Sequence, residues 1–446
     1  MSSIEFQKAT KYRNDLKLLC IVVLLVTGVQ FWYIKDTIQT WTPGKLINDY
    51  AFRDADNAIL LLQDKRRKAG VQLTCSNTTP LNRSRINAIL TSKRNELYSK
   101  YHWIPDLNYL EITKECASFR ENEGFYSKPL SKMEASFPIA YSILMYKSVQ
   151  QVTQLMRMIY MPQNVYCIHV DAKSPWETHK AMKSVARCFD NVFLASQLEM
   201  VTHCSISVLQ AEMNCMRDLI NSEYKWKYFI NLCGQDFPLK TNYEIVQVLK
   251  TLKGKNDVHS IRNSDPSRHL YSHTINNNII SPIYPSKFKE APPSNITVYK
   301  GEFHVLLTRE FVNFTLNDKL AKEFFSWLSD TKCPDEHFFS SLNRLAGVAG
   351  GYPGDTKTII SRSKLWESNF RNTACHGRSV RSICVFSLGD LPRLVQQPQL
   401  FVNKFDRRFD SLVIDCQEEL LRHRTKHPVR FDPSYYNKLP HVKGAT

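Results

Sequence analysis

No glycine-rich phosphate loop, no Gly-x-Ser-x-Gly elbow and no close His/Cys cluster occurs in the 446 residues. Those absences exclude the common P-loop and dinucleotide readings, a serine-hydrolase elbow and a zinc module. There is no internal repeat or low-complexity block either, and with 43% hydrophobic residues the chain can bury a large core. Long apolar runs are equally scarce: only Leu18 to Ile34 is free of charge over a length that lipid accepts. At 1.5 Å per residue it makes a rod of roughly 25 Å, near the lower limit for spanning a bilayer. Lys8, Lys11, Arg13 and Lys17 precede it against Glu5 and Asp15, which places residues 1–17 in the cytoplasm as a short tail. A cleaved signal peptide is the competing reading. The run lacks a small-x-small exit and ends in Phe31, Trp32, Tyr33, Ile34 and Lys35, an interfacial anchor. Residues 18–34 are therefore expected to be an uncleaved signal-anchor.

Everything after that anchor would be lumenal, where disulfides form, and eleven of the twelve cysteines lie there. Sequons at Asn77, Asn82, Asn295 and Asn313 agree with the compartment. Lys and Arg number 59 against 42 Asp and Glu, a net +17 that would ordinarily raise nucleic acid as a partner. A lumenal address removes it, leaving a basic solvated surface or a basic pocket for a phosphorylated donor.

Residues 35–115 mix charged helical stretches with sequons and read as a stem and accessory region. From Ile139 the pattern changes. Ile139 to Tyr146, Val165 to Val170, Val192 to Ala195 and Tyr228 to Cys233 are predicted buried strands. Val149 to Ile159, Thr178 to Cys188 and Ser207 to Ile220 have helical spacing between them. Such alternation predicts an α/β fold with a doubly wound, mainly parallel sheet and flanking helices. Ligands then sit beyond the strand carboxyl ends, which singles out Lys147, Asp171 to Lys173, Ser196, Gln235 and Asp236. Further on, Phe303 to Thr308 is predicted as a strand, Asp335 to Leu345 as a helix, Ile383 to Ser387 as a last buried strand, and 254–300 as a long loop system.

Metal-dependent sugar-nucleotide transferases place Asp-x-Asp at a strand end to hold the ion bridging the diphosphate. Here the pattern occurs once, as Asp54-Ala55-Asp56, before the sheet begins, and reads as solvated helix surface. A nucleotide-sugar donor would need fixed cations instead, for which the C-terminal third offers Arg371, Arg378, Arg381, Arg393, Lys404, Arg407 and Arg408.

Six blocks then occur in order: Asn164-Val-Tyr-Cys-Ile-His-Val-Asp171, Leu232-Cys-Gly-Gln-Asp-Phe-Pro-Leu-Lys240, Pro334-Asp-Glu-His337, Val380-Arg-Ser-Ile-Cys384, Gly389-Asp-Leu391 and Asn403-Lys-Phe-Asp406. They resemble the core 2 and I-branching β1,6-N-acetylglucosaminyltransferases, and protein xylosyltransferases are more distant relatives. The resemblance implies a GT-A-like catalytic domain over 116–425, followed by a C-terminal tail at 426–446. It implies inverting transfer of GlcNAc from UDP-GlcNAc to a sugar C6 hydroxyl, without a metal or other cofactor. It also implies a single-pass type II Golgi membrane protein acting on glycoprotein O-glycans.

Residue by residue, Glu336 matches the catalytic base, against a plain helix-dipole role that Asp335 could fill alone. Arg381 and Lys404 match the pair that grips the diphosphate; Asp171, Ala172 and Lys173 match donor contacts, and Leu144, Met145 and Tyr146 the nucleotide wall. His203 stands where relatives carry a donor-side tyrosine, with Ile206 and Val208 replacing a tryptophan and an arginine. On the acceptor side His259 replaces a glutamate, Arg268 is the nearest candidate for a shifted cation, and Lys357 and Trp366 stand where acceptor residues are expected. The resemblance pairs Cys75 with Cys416, Cys116 with Cys188, Cys167 with Cys215 and Cys375 with Cys384, leaving Cys233 free. Cys204 and Cys333 have no counterpart, and a bridge between them is a further hypothesis. Core 2 branching on Galβ1,3GalNAc is the first reading of the acceptor. I-branching on poly-N-acetyllactosamine stands beside it through Cys375-His-Gly and Ala291-Pro-Pro-Ser. The substitutions at 203, 206, 208 and 259 keep a non-catalytic glycan- or UDP-binding relative in view, and a homo-oligomer is left open.

Overall fold

The computed structural model describes residues 103–443 apart from 278 and 284–286. Four parallel strands form the centre: β1 (Ile139–Met145), β2 (Val165–Val170), β3 (Val192–Leu194) and β4 (Tyr228–Cys233). Across the sheet the order is β4, β1, β2, β3, and Leu306–Thr308 closes the β4 edge antiparallel. The mixed α/β architecture and its parallel-rich sheet agree with the expectation.

Alternation along each strand sends residues to two cores. Tyr141, Ile143, Tyr166, Ile168, Ile230 and Leu232 face α1 (Val149–Ile159) and α2 (Trp176–Ala186). Ala140, Val165, Cys167 and Phe229 face the other way, towards α3 (Ile206–Asn221) through Leu209, Met213, Met216 and Leu219. Because both faces are covered, the strands read as unbroken apolar runs in the sequence. Two of the three helices begin on hydroxyl caps: Ser148 accepts from the Gln151 N–H and Ser205 from the Ser207 N–H, both at 3.3 Å.

Several expected elements change. The 335–345 helix is broken into a 3-10 turn, Pro334–Glu336, and a short helix, Phe338–Leu342, because His337 between them departs from the helical φ, at −115°. Phe303 to Thr308 shrinks to Leu306–Thr308, since the Phe303 carbonyl is engaged by the Asn231 side chain at 2.8 Å. Ile383–Val385 is a hairpin arm rather than the last strand; that place falls to Phe401–Asn403. Within 254–300 short pairs form, including Ile261–Arg262 with Tyr299–Lys300. The segment expected as a C-terminal tail carries two helical turns, with Tyr436, Leu439 and Val442 buried in the core.

Cys116–Cys188, Cys167–Cys215 and Cys375–Cys384 are bonded as expected, Cys204–Cys333 makes a further bridge, and Cys233 is free. Cys416 is disulfide-bonded, while Cys75, its expected partner, lies outside the described residues. So do residues 1–17, the apolar run 18–34, most of 35–115, and Asn77 and Asn82. No helix among the described residues is long and apolar enough to cross a membrane. Asn295 and Asn313 are exposed.

Candidate active site

The ends of β1, β2 and β4 lie together, where a parallel sheet of this kind carries its ligands. The Met145 carbonyl accepts the Asp171 N–H (2.8 Å) and the Leu144 carbonyl accepts the Gly234 N–H (2.9 Å), so three parallel strands finish at one level. Asp171 Oδ1 accepts from the Lys173 N–H at 2.9 Å, and Lys173 Nζ lies 3.6 Å from Oδ2. The Ala172 N–H donates to Glu199, and the Ser174 hydroxyl to the carbonyl of exposed Tyr146 at 2.6 Å. Leu144, Met145, Tyr146 and Asp171 to Lys173 therefore share one rim.

Lys404 arrives from the opposite side. Phe401–Asn403 runs antiparallel to β5 (Asp236–Pro238), and the Phe405 N–H donates to Gln235 at 2.9 Å. Asp236, fully buried, anchors this junction by accepting from the Cys233 N–H (2.7 Å) and Asn403 Nδ2 (2.8 Å). Arg362 Nη2 lies 3.3 Å from Asp236 Oδ2. Burial alone would raise the Asp236 carboxyl, but the Arg362 guanidinium overrides it and holds the group well below the usual carboxylate range. His304 Nε2 sits 3.5 Å away, at the long limit of a hydrogen bond. Burial, then Lys364 and Arg362, pull His304 down to about 4, so it is neutral. Cys233, Asp236 and His304 bring potential ligand atoms within 4.8 Å of one another, but Arg362 already balances Asp236, and burial pushes the Cys233 thiol up to about 12.

Arg381 occupies the tip of the hairpin formed by Arg378–Val380 and Ile383–Val385. Arg381 and Ser382 both have left-handed φ, +54° and +59°, the pattern of a type I′ turn built without glycine. The Cys375–Cys384 bridge fastens one arm of that hairpin.

Glu336 ends the Pro334–Glu336 turn. Its carbonyl accepts the Gly301 N–H at 2.6 Å and the Ser340 hydroxyl at 3.0 Å. Its Oε2 accepts from Arg268 Nη1 (2.5 Å) and lies 3.0 Å from Lys300 Nζ. Burial would raise this carboxyl; Lys300 and Arg268 outweigh it and hold it below its ordinary value. Asp335, half-buried beside Glu336 with its Oδ1 inaccessible, is instead pushed up to about 7 by desolvation and by that neighbour's charge. The Cys204–Cys333 bridge ties the turn to the His203 segment, and the Cys333 N–H donates to the Cys204 carbonyl at 2.7 Å.

His203 joins the two halves. Burial lowers its pKa, and the charges acting on the ring are Arg381, Glu336 and Lys404. The charges of the residues expected as base and diphosphate cations thus all reach one imidazole. On the acceptor side, His259 is acted on by Glu302, Lys300 and Lys364, and Trp366, exposed at the surface, lies 5.9 Å below Lys364 Nζ. Lys357 is exposed on a neighbouring loop, where it acts on Asp355. Sequence reasoning missed Lys300, Glu302, Lys364 and Arg362. Glu302 and Lys364 pair at 2.8 Å, and Lys364 overrides burial to hold the Glu302 carboxyl at about 2. The available signal was Gly301, flanked by opposite charges: a Cβ there would come within 2.2 Å of the His259 carbonyl and 2.7 Å of Ser340 Cβ. Only glycine permits so close an approach, which lets Lys300 reach Glu336 while Glu302 pairs with Lys364.

Residues 139–395 match the family model described as Core-2/I-Branching enzyme. A human N-acetyllactosaminide beta-1,6-N-acetylglucosaminyl-transferase is 40% identical over 361 residues, 78% of this chain and 89% of that protein. A bovine herpesvirus 4 beta-1,3-galactosyl-O-glycosyl-glycoprotein beta-1,6-N-acetylglucosaminyltransferase is 38% identical, covering 74% of this chain and 78% of its own. A sheep protein with the same description, numbered 3, is 36% identical over 82% of this chain and 86% of its own.

Proposed function

The chain belongs to the Core-2/I-branching enzyme family, and from that premise we propose that it is an inverting β1,6-N-acetylglucosaminyltransferase. It moves GlcNAc from UDP-GlcNAc to a sugar C6 hydroxyl. What supports this reading is that the charges of Glu336, Arg381 and Lys404 all act on the His203 ring, and that the Cys204–Cys333 bridge ties the segment beside His203 to the turn carrying Glu336. In a single displacement the acceptor C6 oxygen bonds to the anomeric carbon as the bond from that carbon to the UDP oxygen breaks. The hydroxyl proton passes to Glu336, and UDP leaves with the electron pair. The charge growing on the departing diphosphate meets Arg381 and Lys404, two fixed cations in place of an ion. Burial pulls the Lys404 ammonium below its ordinary pKa, which a bound diphosphate would reverse.

The acceptor is Galβ1,3GalNAc, branched to core 2. I-branching of poly-N-acetyllactosamine is the second reading, favoured by the 40% identity to the human lactosaminide enzyme. The catalytic domain is of GT-A type over 116–425, displayed in the Golgi lumen by a type II anchor at 18–34, and works on glycoprotein O-glycans without a divalent cation.

The test is transfer from UDP-GlcNAc, with EDTA present, to Galβ1,3GalNAc, GlcNAcβ1,3GalNAc and lactosamine acceptors. Glu336→Gln should abolish transfer while binding UDP as the wild type does; Lys404→Ala should weaken UDP binding itself. Equal turnover by Glu336→Gln and wild type removes Glu336 from the mechanism, and UDP binding without any transfer makes the protein a non-catalytic relative.

A further inference from the structure

The catalytic carboxylate is gripped on one oxygen. Arg268 Nη1 and Lys300 Nζ both address Oε2 of Glu336, and among the described residues no side chain bonds Oε1. The two cations come from separate pieces of chain. Arg268 lies on a short helix, Ser267–Leu270, whose Arg268 carbonyl accepts the Lys332 N–H at 3.0 Å. Lys300 ends the strand Tyr299–Lys300, which reaches Glu336 because Gly301 has no side chain. The backbone of that strand is itself fixed to the turn: Tyr299 O contacts His337 Nδ1 at 2.9 Å and lies 3.0 Å from the Ser340 hydroxyl, which it shares with the Glu336 carbonyl.

The geometry points to Lys300 as a positioning residue that, with Arg268, fixes Glu336 through Oε2 and reserves Oε1 as the atom that takes the acceptor proton. The inference rests on reading Glu336 as the base. A half-buried carboxylate with one oxygen neutralised has two advantages here. It cannot rotate to offer the wrong lone pair, and it stays ionised in a setting where burial favours its proton. The cost is basicity, because a carboxylate stabilised by cations takes a proton less readily. The arrangement therefore suits transfer in a mildly acidic medium.

Asp335, His203 and His337 are further titratable groups around Glu336, Asp265 lies 3.9 Å from Arg268, and Arg381 and Lys404 act with Glu336 on His203. His203 is lowered chiefly by burial, and His337 is lowered to about 4 by burial, so neither supplies the charge that Lys300 does. Asp335, at about 7, titrates in the working range and needs its own control.

The experiment is the pH profile of kcat for GlcNAc transfer by wild type, Lys300→Gln, Lys300→Arg and Asp335→Asn, with UDP binding measured on each. Lys300→Gln should move the acid limb to higher pH by about one unit or more. Its kcat then falls about tenfold below wild type at the acid end, the gap narrowing towards neutral pH. Lys300→Arg should restore the wild-type limb, and Asp335→Asn should leave the limb where it is. A Lys300→Gln profile that superimposes on wild type after scaling overturns the inference, as does a limb that moves with Asp335→Asn. Retained UDP binding shows that the variant is folded. Full turnover by Glu336→Gln would overturn the reading of the base itself, a separate outcome from an unmoved limb in Lys300→Gln.

Discussion

Asp236→Asn tests whether the floor of the site is held by one buried charge. In the native protein Asp236 and Arg362 are both inaccessible to solvent and lie 3.3 Å apart. Arg362 also donates to the Asn231 carbonyl at 2.5 Å and the Ser361 carbonyl at 3.0 Å. The substitution keeps the shape and removes the charge, so a guanidinium is left buried without a counterion. Breaking such a pair from one side costs about 3–5 kcal/mol. With a urea slope of roughly 3 kcal/mol per molar, the unfolding midpoint should drop by about 1–2 M. Function should suffer in parallel. Asn403, held by Asp236 at 2.8 Å, precedes Lys404, so UDP binding should weaken although Asp236 is not itself expected to touch the nucleotide. The pH dependence has a fixed sign. A carboxyl depressed in the native state contributes stability above its unfolded pKa of about 4 and loses it as pH falls towards the native value, so the deficit of Asp236→Asn should shrink below about pH 4. Removing both charges, in Asp236→Asn with Arg362→Met, should recover part of the loss. A midpoint within about 0.3 M of wild type, or a double variant no better than the single, would refute the argument.

Gly301→Ala should lower both stability and kcat, since its Cβ would meet the His259 carbonyl at 2.2 Å and force the Glu336 turn outwards; unchanged kinetics would sink this. Glu212, fully buried against the Ser142 hydroxyl, is pushed up to about 8 by burial, so native stability present below its unfolded value of 4.5 is lost as pH rises through 8. Glu212→Gln should therefore gain on wild type in urea midpoint between pH 5 and 8, and a gap that stays flat would contradict it. Cys204→Ser with Cys333→Ser should cost about 2–4 kcal/mol and reduce transfer more than UDP binding. Equal losses in the two assays would show that the bridge does not set the base.

The sheet was legible because its physics is local. β2, β4 and α1 run between the residues expected, since strands covered on both faces must be apolar throughout and α1 carries its apolar stripe at helical spacing. The turn carrying Glu336 reads as continuous helix in the sequence because a single departure in φ, at His337, leaves no mark in hydrophobic periodicity. Phe401–Asn403 was missed for a different reason: three residues are too few to show a period. The site divides the same way. Glu336, Arg381 and Lys404 stand inside recognisable blocks, whereas Lys300, Glu302 and Lys364 are ordinary surface charges in sequence and become neighbours only through the folding of distant segments. The pairing of Cys204 with Cys333 likewise joins residues 129 apart, a distance over which spacing carries no instruction.

That crosslink also bears on how the protein matures. The sheet and its two cores owe their cohesion to packing, whereas this bridge is a covalent tie between the segment beside His203 and the turn that carries Glu336. A newly made chain kept in reducing surroundings would carry the same side chains without that tie, so oxidation adds a restraint on the turn as well as a fastener for the frame.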